Sequence, residues 1–346
     1  MKALVHTKPY TLEYCDLPAP EVGDDDVLVR VQACGICGSD VQGFTGKTGR
    51  RIPPVVMGHE AAGVVEAVGG SVAGVAPGDR VCFDSTVYCN RCPACRQGLY
   101  NRCVRREVLG VSVPQFRRQG AMAEFVAVPH WIVARLPDEM SFVEAALLEP
   151  ASIGLHAANR AAIEQGSTVV VIGTGTIGLF VLQAARLRGA GTVIACDVND
   201  FRLELAKAVG ADVGLNPNEI NLADEVLRRT YGQGSAVTFE VVGYAETFRQ
   251  AIALTRTGGT VVAVGNLAHQ ADFSLQELVS RELTLTGSYA SAGEFRLCID
   301  LIASGKIKIA PLVSEVLPLQ NGPEAFERLL RGQEKLLKIV LEPQEV

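Results

Sequence analysis

The chain has 346 residues, 48% hydrophobic and 20% charged, an ordinary globular composition. The length suggests two domains. A formal net charge of -6 argues against nucleic acid, whose binders usually carry a basic face, and against a membrane surface. Residues 1–5 run straight into strand-like sequence, so no secretory leader is expected, and apolar runs such as 168–187 are cut too often by Gly and Thr to span a bilayer. Ten cysteines then point to a reducing, cytoplasmic setting, where clustered cysteines hold metal rather than disulfides.

Residues 1–35 read as short strands, with 27–31 apolar and β-branched after the turn at Gly23. The run C-G-I-C-G-S-D follows from Cys34 to Asp40, and G-H-E stands at Gly58, His59 and Glu60. Cys37, His59 and Glu60 offer a thiolate, an imidazole and a carboxylate, the ligand types zinc takes. Three such ligands with an open fourth position make a catalytic centre. Strands at 63–68 and 79–83, divided by Gly and Pro turns, suggest a barrel-like β domain.

Cys89, Cys92, Cys95 and Cys103 lie on one loop as C-x2-C-x2-C-x7-C. Four thiolates at that spacing close around one tetrahedral zinc and leave no open position, so this site is structural. Five arginines between 91 and 106 also allow a nucleic-acid-binding zinc ribbon, which the acidic chain disfavours. Another strand is expected near 121–128, and Ser141 caps a helix starting at Phe142. In L-E-P, Glu149 stands before a proline in an apolar setting, where a salt-bridged or solvated glutamate is the plain reading.

From 167 the pattern changes. The apolar run 168–172 reads as a strand buried on both faces. Gly173, Gly175 and Gly178 follow as G-T-G-T-I-G and open a helix, the dinucleotide fingerprint in its proper setting. The next strand, 192–196, ends in Asp197, nineteen residues past Gly178, where an acid bonds the adenosine ribose. A carboxylate there repels a 2′-phosphate and favours NAD, although Arg202 stands close by. Strands near 213–215, 236–241, 260–264 and 283–286 complete a six-stranded doubly wound sheet. The domains are then 152–287 for the nucleotide and 1–151 with 288–346 for catalysis, the cofactor domain being an insertion with the active site in the cleft between them.

Taken in order, these six motifs make the whole chain resemble the zinc-dependent medium-chain dehydrogenases, most closely the polyol (sorbitol dehydrogenase) branch, with its sugar-alcohol phosphate relatives. The resemblance implies an α/β fold: a GroES-like β-barrel catalytic domain with an inserted doubly wound Rossmann domain, assembled as a homodimer or homotetramer. It implies Cys37 and His59 as catalytic zinc ligands, Glu60 as direct or water-bridged ligand, and Glu149 at the third-ligand position of other alcohol dehydrogenases. Asp40 matches the carboxylate that orients the His ligand, Lys338 a basic partner, and Ser39 the hydroxyl that hydrogen-bonds the substrate oxygen. Ile177, Asp197, Arg202, Val264, Gly265, Asn266, Ser288, Tyr289 and Ala290 match NAD-contacting positions. Two departures stand out: Gln42 replaces a relay histidine, and Ala290 and Ser291 replace an Arg-Tyr pair that grips sorbitol. Arg50 and Arg51 suggest either a phosphate contact or a solvated loop. The implied reaction is NAD-dependent oxidation of a secondary alcohol in a polyol or diol. A sugar-alcohol phosphate, a threonine-type substrate and a non-catalytic NAD-binding role are the alternatives.

Overall fold

The computed structural model describes residues 1–333 and 335–343. They form two compact units. One takes Met1–Glu149, Phe295–Gly305 and the chain from Leu312 onward; the other takes Pro150–Glu294 and Lys306–Pro311. Of the expected second segment of the catalytic domain, residues 288–294 and 306–311 thus pack with the second unit.

The first unit is built around the ten-residue strand Asp26–Gly35. Its apolar residues alternate, and Val27, Val29, Val31 and Ala33 are wholly buried on one face. Glu60–Val68 pairs with it antiparallel along one side. Its other side is shared, by Phe125–Pro129 over the first half and Lys338–Glu342 at the end. The sheet extends through Arg80–Phe83 to Val133–Arg135, and through Lys338–Glu342 to Val313–Pro318. Leu4, Met57, Val65, Phe83 and Phe326 fill the core beneath it.

This register decides where the chemistry falls. Gly35 pairs with Glu60 on one side and with Val340 on the other. A β-carbon on Gly35 would lie 2.3 Å from Glu60 Oε2, so only glycine lets that carboxylate lie over the strand. The chain then turns into the short helix Gly38–Phe44, with Cys37 at its N-cap. Ser141 caps Phe142–Ala146 through a complete capping box with Glu144, as its sequence predicts.

The second unit is a parallel sheet in the order Val213–Leu215, Thr192–Cys196, Thr168–Ile172, Ser235–Glu240, Thr255–Ala263, Thr284–Gly287. With strands numbered along this unit, that is 3-2-1-4-5-6, the doubly wound order. Val169, Val170 and Val171 are wholly buried, because helices cover both faces of such a sheet. Among the described residues no helix is long and apolar enough to cross a membrane.

Candidate metal centre and dinucleotide site

Cys37 Sγ, a ring nitrogen of His59 and a carboxylate oxygen of Glu60 lie within 4.8 Å of one another. Each arrives from a different piece of local structure. Cys37 precedes a helix, and its sulfur accepts from Ser39 N at 3.5 Å and Ser39 Oγ at 3.3 Å. His59 follows Gly58, whose φ of 94° lies in the left-handed region and whose β-carbon would meet Met122 and Cys34 below 3 Å. Glu60 begins a strand and is wholly buried.

The surrounding charges are paired. Lys338 Nζ, itself 1% exposed, donates to both Glu60 oxygens at 2.9 and 2.7 Å and to Ile36 O at 2.8 Å. Burial works against its charge, but Glu60, Cys37 and Asp40 together outweigh burial and hold the ammonium above its ordinary range. Asp40 Oδ2 lies 3.4 Å from His59 Nδ1, while Oδ1 accepts from Arg51 Nε at 3.2 Å and Nη2 at 2.8 Å. Burial pushes the Asp40 carboxyl up, yet His59 and Arg51 together bring it well below the usual carboxylate range. Arg51 is therefore neither a solvated loop residue nor open to a phosphate; at 5% exposure it is consumed inside the protein, while Arg50 stays exposed.

Glu149 stands outside the three-residue cluster. It is 3% exposed and accepts from Ser85 Oγ at 2.5 Å. Burial pushes it up to about 7, His59 opposes that rise, and the negative charge of Glu60 adds to it. It is thus buried rather than solvated, contrary to that half of the plain reading of its sequence. Ser85 and the role of Arg51 escaped the sequence. The one available signal was Asp40, a carboxylate placed behind a metal ligand, which needs a countercharge once buried.

The donor set fits a divalent ion. Cys37, Glu60, Asp40 and Glu149, when ionised, are four anions facing two cations, Arg51 and Lys338. The two remaining negative charges are what one zinc ion neutralises, and the ligand types are those it prefers. The four sulfurs of Cys89, Cys92, Cys95 and Cys103 also lie within 4.8 Å of one another, and none forms a disulfide. A tetrahedral zinc with bonds near 2.3 Å spaces its sulfurs by about 3.8 Å, so this cage fits as well. Its loop is anchored by Tyr88, stacked on Tyr100 at 4.1 Å and exchanging hydrogen bonds with Trp131.

In the second unit every expected nucleotide residue sits at or just past the carboxyl end of a parallel strand, where ligands bind such sheets. Gly173 has φ of 91°. Gly175 has nothing within 4 Å of its β-carbon position, leaving its backbone open to a phosphate. Gly178 packs so tightly that a β-carbon would lie 1.9 Å from Gly173 O. Ile177 follows in the helix Thr176–Leu187. Asp197 Oδ2 accepts from Thr174 N at 2.8 Å, and Arg202 Nη1 is 3.9 Å away. The Gly265 backbone closes on Gly243; Val264 and Gly265 both donate to Glu240 O, with Asn266 next in the chain. Ser288 donates to Ala263 O, Tyr289 is half-exposed, and Ala290 takes a positive φ of 51°.

Fold and donor chemistry together define a dehydrogenase that pairs metal with a nicotinamide dinucleotide. Sequence comparison gives the family. Residues 23–138 match the alcohol dehydrogenase GroES-like domain and 176–304 the zinc-binding dehydrogenase domain. The chain is 35% identical to sorbitol dehydrogenase of Bacillus subtilis, over 99% of this chain and 97% of that protein. It is 38% identical to L-idonate 5-dehydrogenase of Vitis vinifera, over 90% and 87%. A solved Sinorhizobium meliloti 1021 protein, described as a zinc-binding dehydrogenase bound to NADP, superposes with a TM-score of 0.91 at 33% identity, covering 99% of both chains. The chain belongs to the zinc-binding alcohol dehydrogenase family and is an NAD(P)-dependent oxidoreductase, with a GroES-like β unit and a Rossmann unit.

Proposed function

We propose that the protein oxidises a secondary alcohol of a polyol or diol to the ketone with NAD, using a zinc ion held by Cys37, His59 and Glu60 with Glu149 close by. The observation that carries this reading is the buried cluster of those three donors, backed by Lys338 and Asp40. Sorbitol and idonate are the substrates named for the relatives above. The Arg-Tyr pair expected of a sorbitol enzyme is absent at Ala290 and Ser291, so a different polyol or a smaller diol is preferred. A phosphorylated substrate is disfavoured because Arg51 is already engaged. The GroES-like unit is read as the catalytic domain and the Rossmann unit as the NAD domain.

The chain's own residues hold and orient. When bound, zinc supplies Lewis acidity that makes an alcohol hydroxyl easier to deprotonate. Asp40 Oδ2 faces His59 Nδ1 at 3.4 Å, so Nε2 is the ring nitrogen left to ligate. Ser39 is the hydroxyl that receives the alcohol's proton. Gln42 has no imidazole to carry that proton onward, so the path beyond Ser39 does not run through its side chain. Hydride acceptance is the cofactor's own chemistry. Gly173, Gly175 and Ile177 would hold its phosphates, with Gly178 packing the helix Thr176–Leu187 close behind them, and Asp197, with Arg202, would meet the adenosine ribose. Val264, Gly265, Asn266, Ser288, Tyr289 and Ala290 line the nicotinamide end. Cys89, Cys92, Cys95 and Cys103 hold a second, structural zinc. We read the protein as cytoplasmic.

The test is a panel of polyols, diols, sugar phosphates and threonine followed by NADH absorbance, with zinc counted per chain. Turnover of an unphosphorylated polyol or diol and two zincs are expected. His59→Ala should lose one zinc and at least about a hundredfold in kcat/KM, more than loss of a supporting group costs. Asp197→Ala should narrow the preference for NAD over NADP. Full activity in His59→Ala, or preferred turnover of a sugar phosphate, refutes the assignment.

A further inference from the structure

We propose that Arg51 is a positioning residue for the Cys37–His59 centre, one guanidinium setting both the carboxylate behind His59 and the hydroxyl beside Cys37. This rests on the ligand set proposed above. Arg51 comes from the loop before G-H-E, yet its side chain is only 4% exposed. Nε and Nη2 converge on Asp40 Oδ1, and Nη2 also donates to Ser39 Oγ at 3.4 Å. Nη1 donates to Arg50 O at 3.1 Å. Four donations occupy a group with about five N–H bonds, so too little is left to grip an external anion from two sides.

Each contact leads on to a proposed ligand. Asp40 presents its other oxygen to His59 Nδ1, and Ser39 Oγ reaches Cys37 Sγ. A zinc-bound imidazole is neutral and does not balance the buried Asp40 charge; Arg51 does. Lysine would supply that charge as a single point, without the planar fork that spans two acceptors. The fold also makes room for this side chain. A β-carbon on Gly43 would lie 2.3 Å from Arg51 Cγ, so the arginine stem packs on the bare face of the helix Gly38–Phe44. Arg51 only donates, so the proton that Ser39 takes up does not leave through it. Its part is to fix the aim of that hydroxyl.

The experiment uses the full-length holoenzyme and three variants: Arg51→Met, Arg51→Lys and Gly43→Ala. Zinc release to a chelator, kcat and KM are measured, with the visible spectrum of cobalt placed at the catalytic site. Arg51→Met should release one of its two zincs roughly 10- to 100-fold more readily, keep the other, and lose kcat rather than KM. Its cobalt spectrum should shift, and added guanidinium ion should restore part of both kcat and retention. Gly43→Ala should do the same by displacing the stem, which keeps the test alive if Arg51→Met fails to fold. Arg51→Lys should fall between Arg51→Met and the parent. Wild-type zinc release, spectrum and kcat in Arg51→Met overturn the proposal, as does a change confined to KM for phosphorylated substrates. A parent protein that binds only one zinc overturns the ligand reading itself, and this proposal with it. Two zincs released alike in parent and Arg51→Met overturn this proposal alone.

Discussion

At the scale of single residues, buried charge in the GroES-like unit is met by partners. Glu60 has Lys338, Asp40 has Arg51, and Glu149 has Ser85. His6 is different. It is wholly buried, its Nδ1 lies 3.2 Å from Thr11 O, and its Nε2 has no hydrogen-bond partner among the described residues. Burial lowers its pKa below 6.5; the Thr11 carbonyl opposes that, and the Arg51 charge adds to it. The folded chain thus resists a proton that the unfolded chain accepts near pH 6.5. The His6 contribution to stability should be unaffected above that pH and fall as pH drops below it, by at most about 1.4 kcal/mol per unit, while Glu149, raised to about 7 by burial, contributes in the opposite direction and is common to both proteins compared below. Carboxylates such as Glu294, held down to about 2 by His156 and the Ala292 N–H against the effect of burial, lose their contribution only below about pH 4.5. Urea midpoints at pH 7.5, 6.5 and 5.5 check this. His6→Leu should flatten the curve over that range, and equal slopes in the two proteins would rule out His6 as the source.

At the scale of elements, the glycine loop separates two demands that a motif match merges. Gly178 serves packing, because the helix Thr176–Leu187 lies against Gly173 O with no space for a methyl. Gly175 serves ligand approach, because its surroundings are open. Gly178→Val should lower both stability and dinucleotide affinity. Gly175→Val should leave the unfolding midpoint within about 0.5 kcal/mol of the parent and still weaken NAD(H) binding. Fluorescence titration with NADH beside thermal melts distinguishes them, and unchanged NADH affinity in Gly175→Val would remove Gly175 from the site.

At the scale of the whole molecule, the sheet of the Rossmann unit ends in an edge. Thr284–Gly287 pairs with Thr255–Ala263 on one side and with no other described strand. The preceding helix Leu275–Ser280 exposes Leu275 at 67% and Val279 at 68%. An unpaired edge strand and exposed apolar residues each invite pairing, so we propose that the chain works as a homodimer or homotetramer. Leu275→Lys with Val279→Lys should shift the mass measured by sedimentation toward the monomer; a parent that sediments as a monomer sinks the proposal.

The sequence by itself determined the family, the six strands of the nucleotide unit and the four-cysteine loop, because those signals are local. A buried strand, a glycine turn and a helix stand within a few residues of one another, and four cysteines share one loop. It also pointed to Cys37, His59 and Glu60, through motifs recognised one by one. The resemblance named Lys338 as a basic partner and Asp40 as the carboxylate behind His59; what only the tertiary structure decided is that Lys338 serves Glu60 and that Arg51 serves Asp40. Lys338 reaches Glu60 across 278 residues because strand register sets Gly35 between Glu60 and Val340. Arg51 turns inward rather than to solvent because Gly43 and Asp40 receive it. Countercharges are matched by distance in space, which no spacing along the chain encodes.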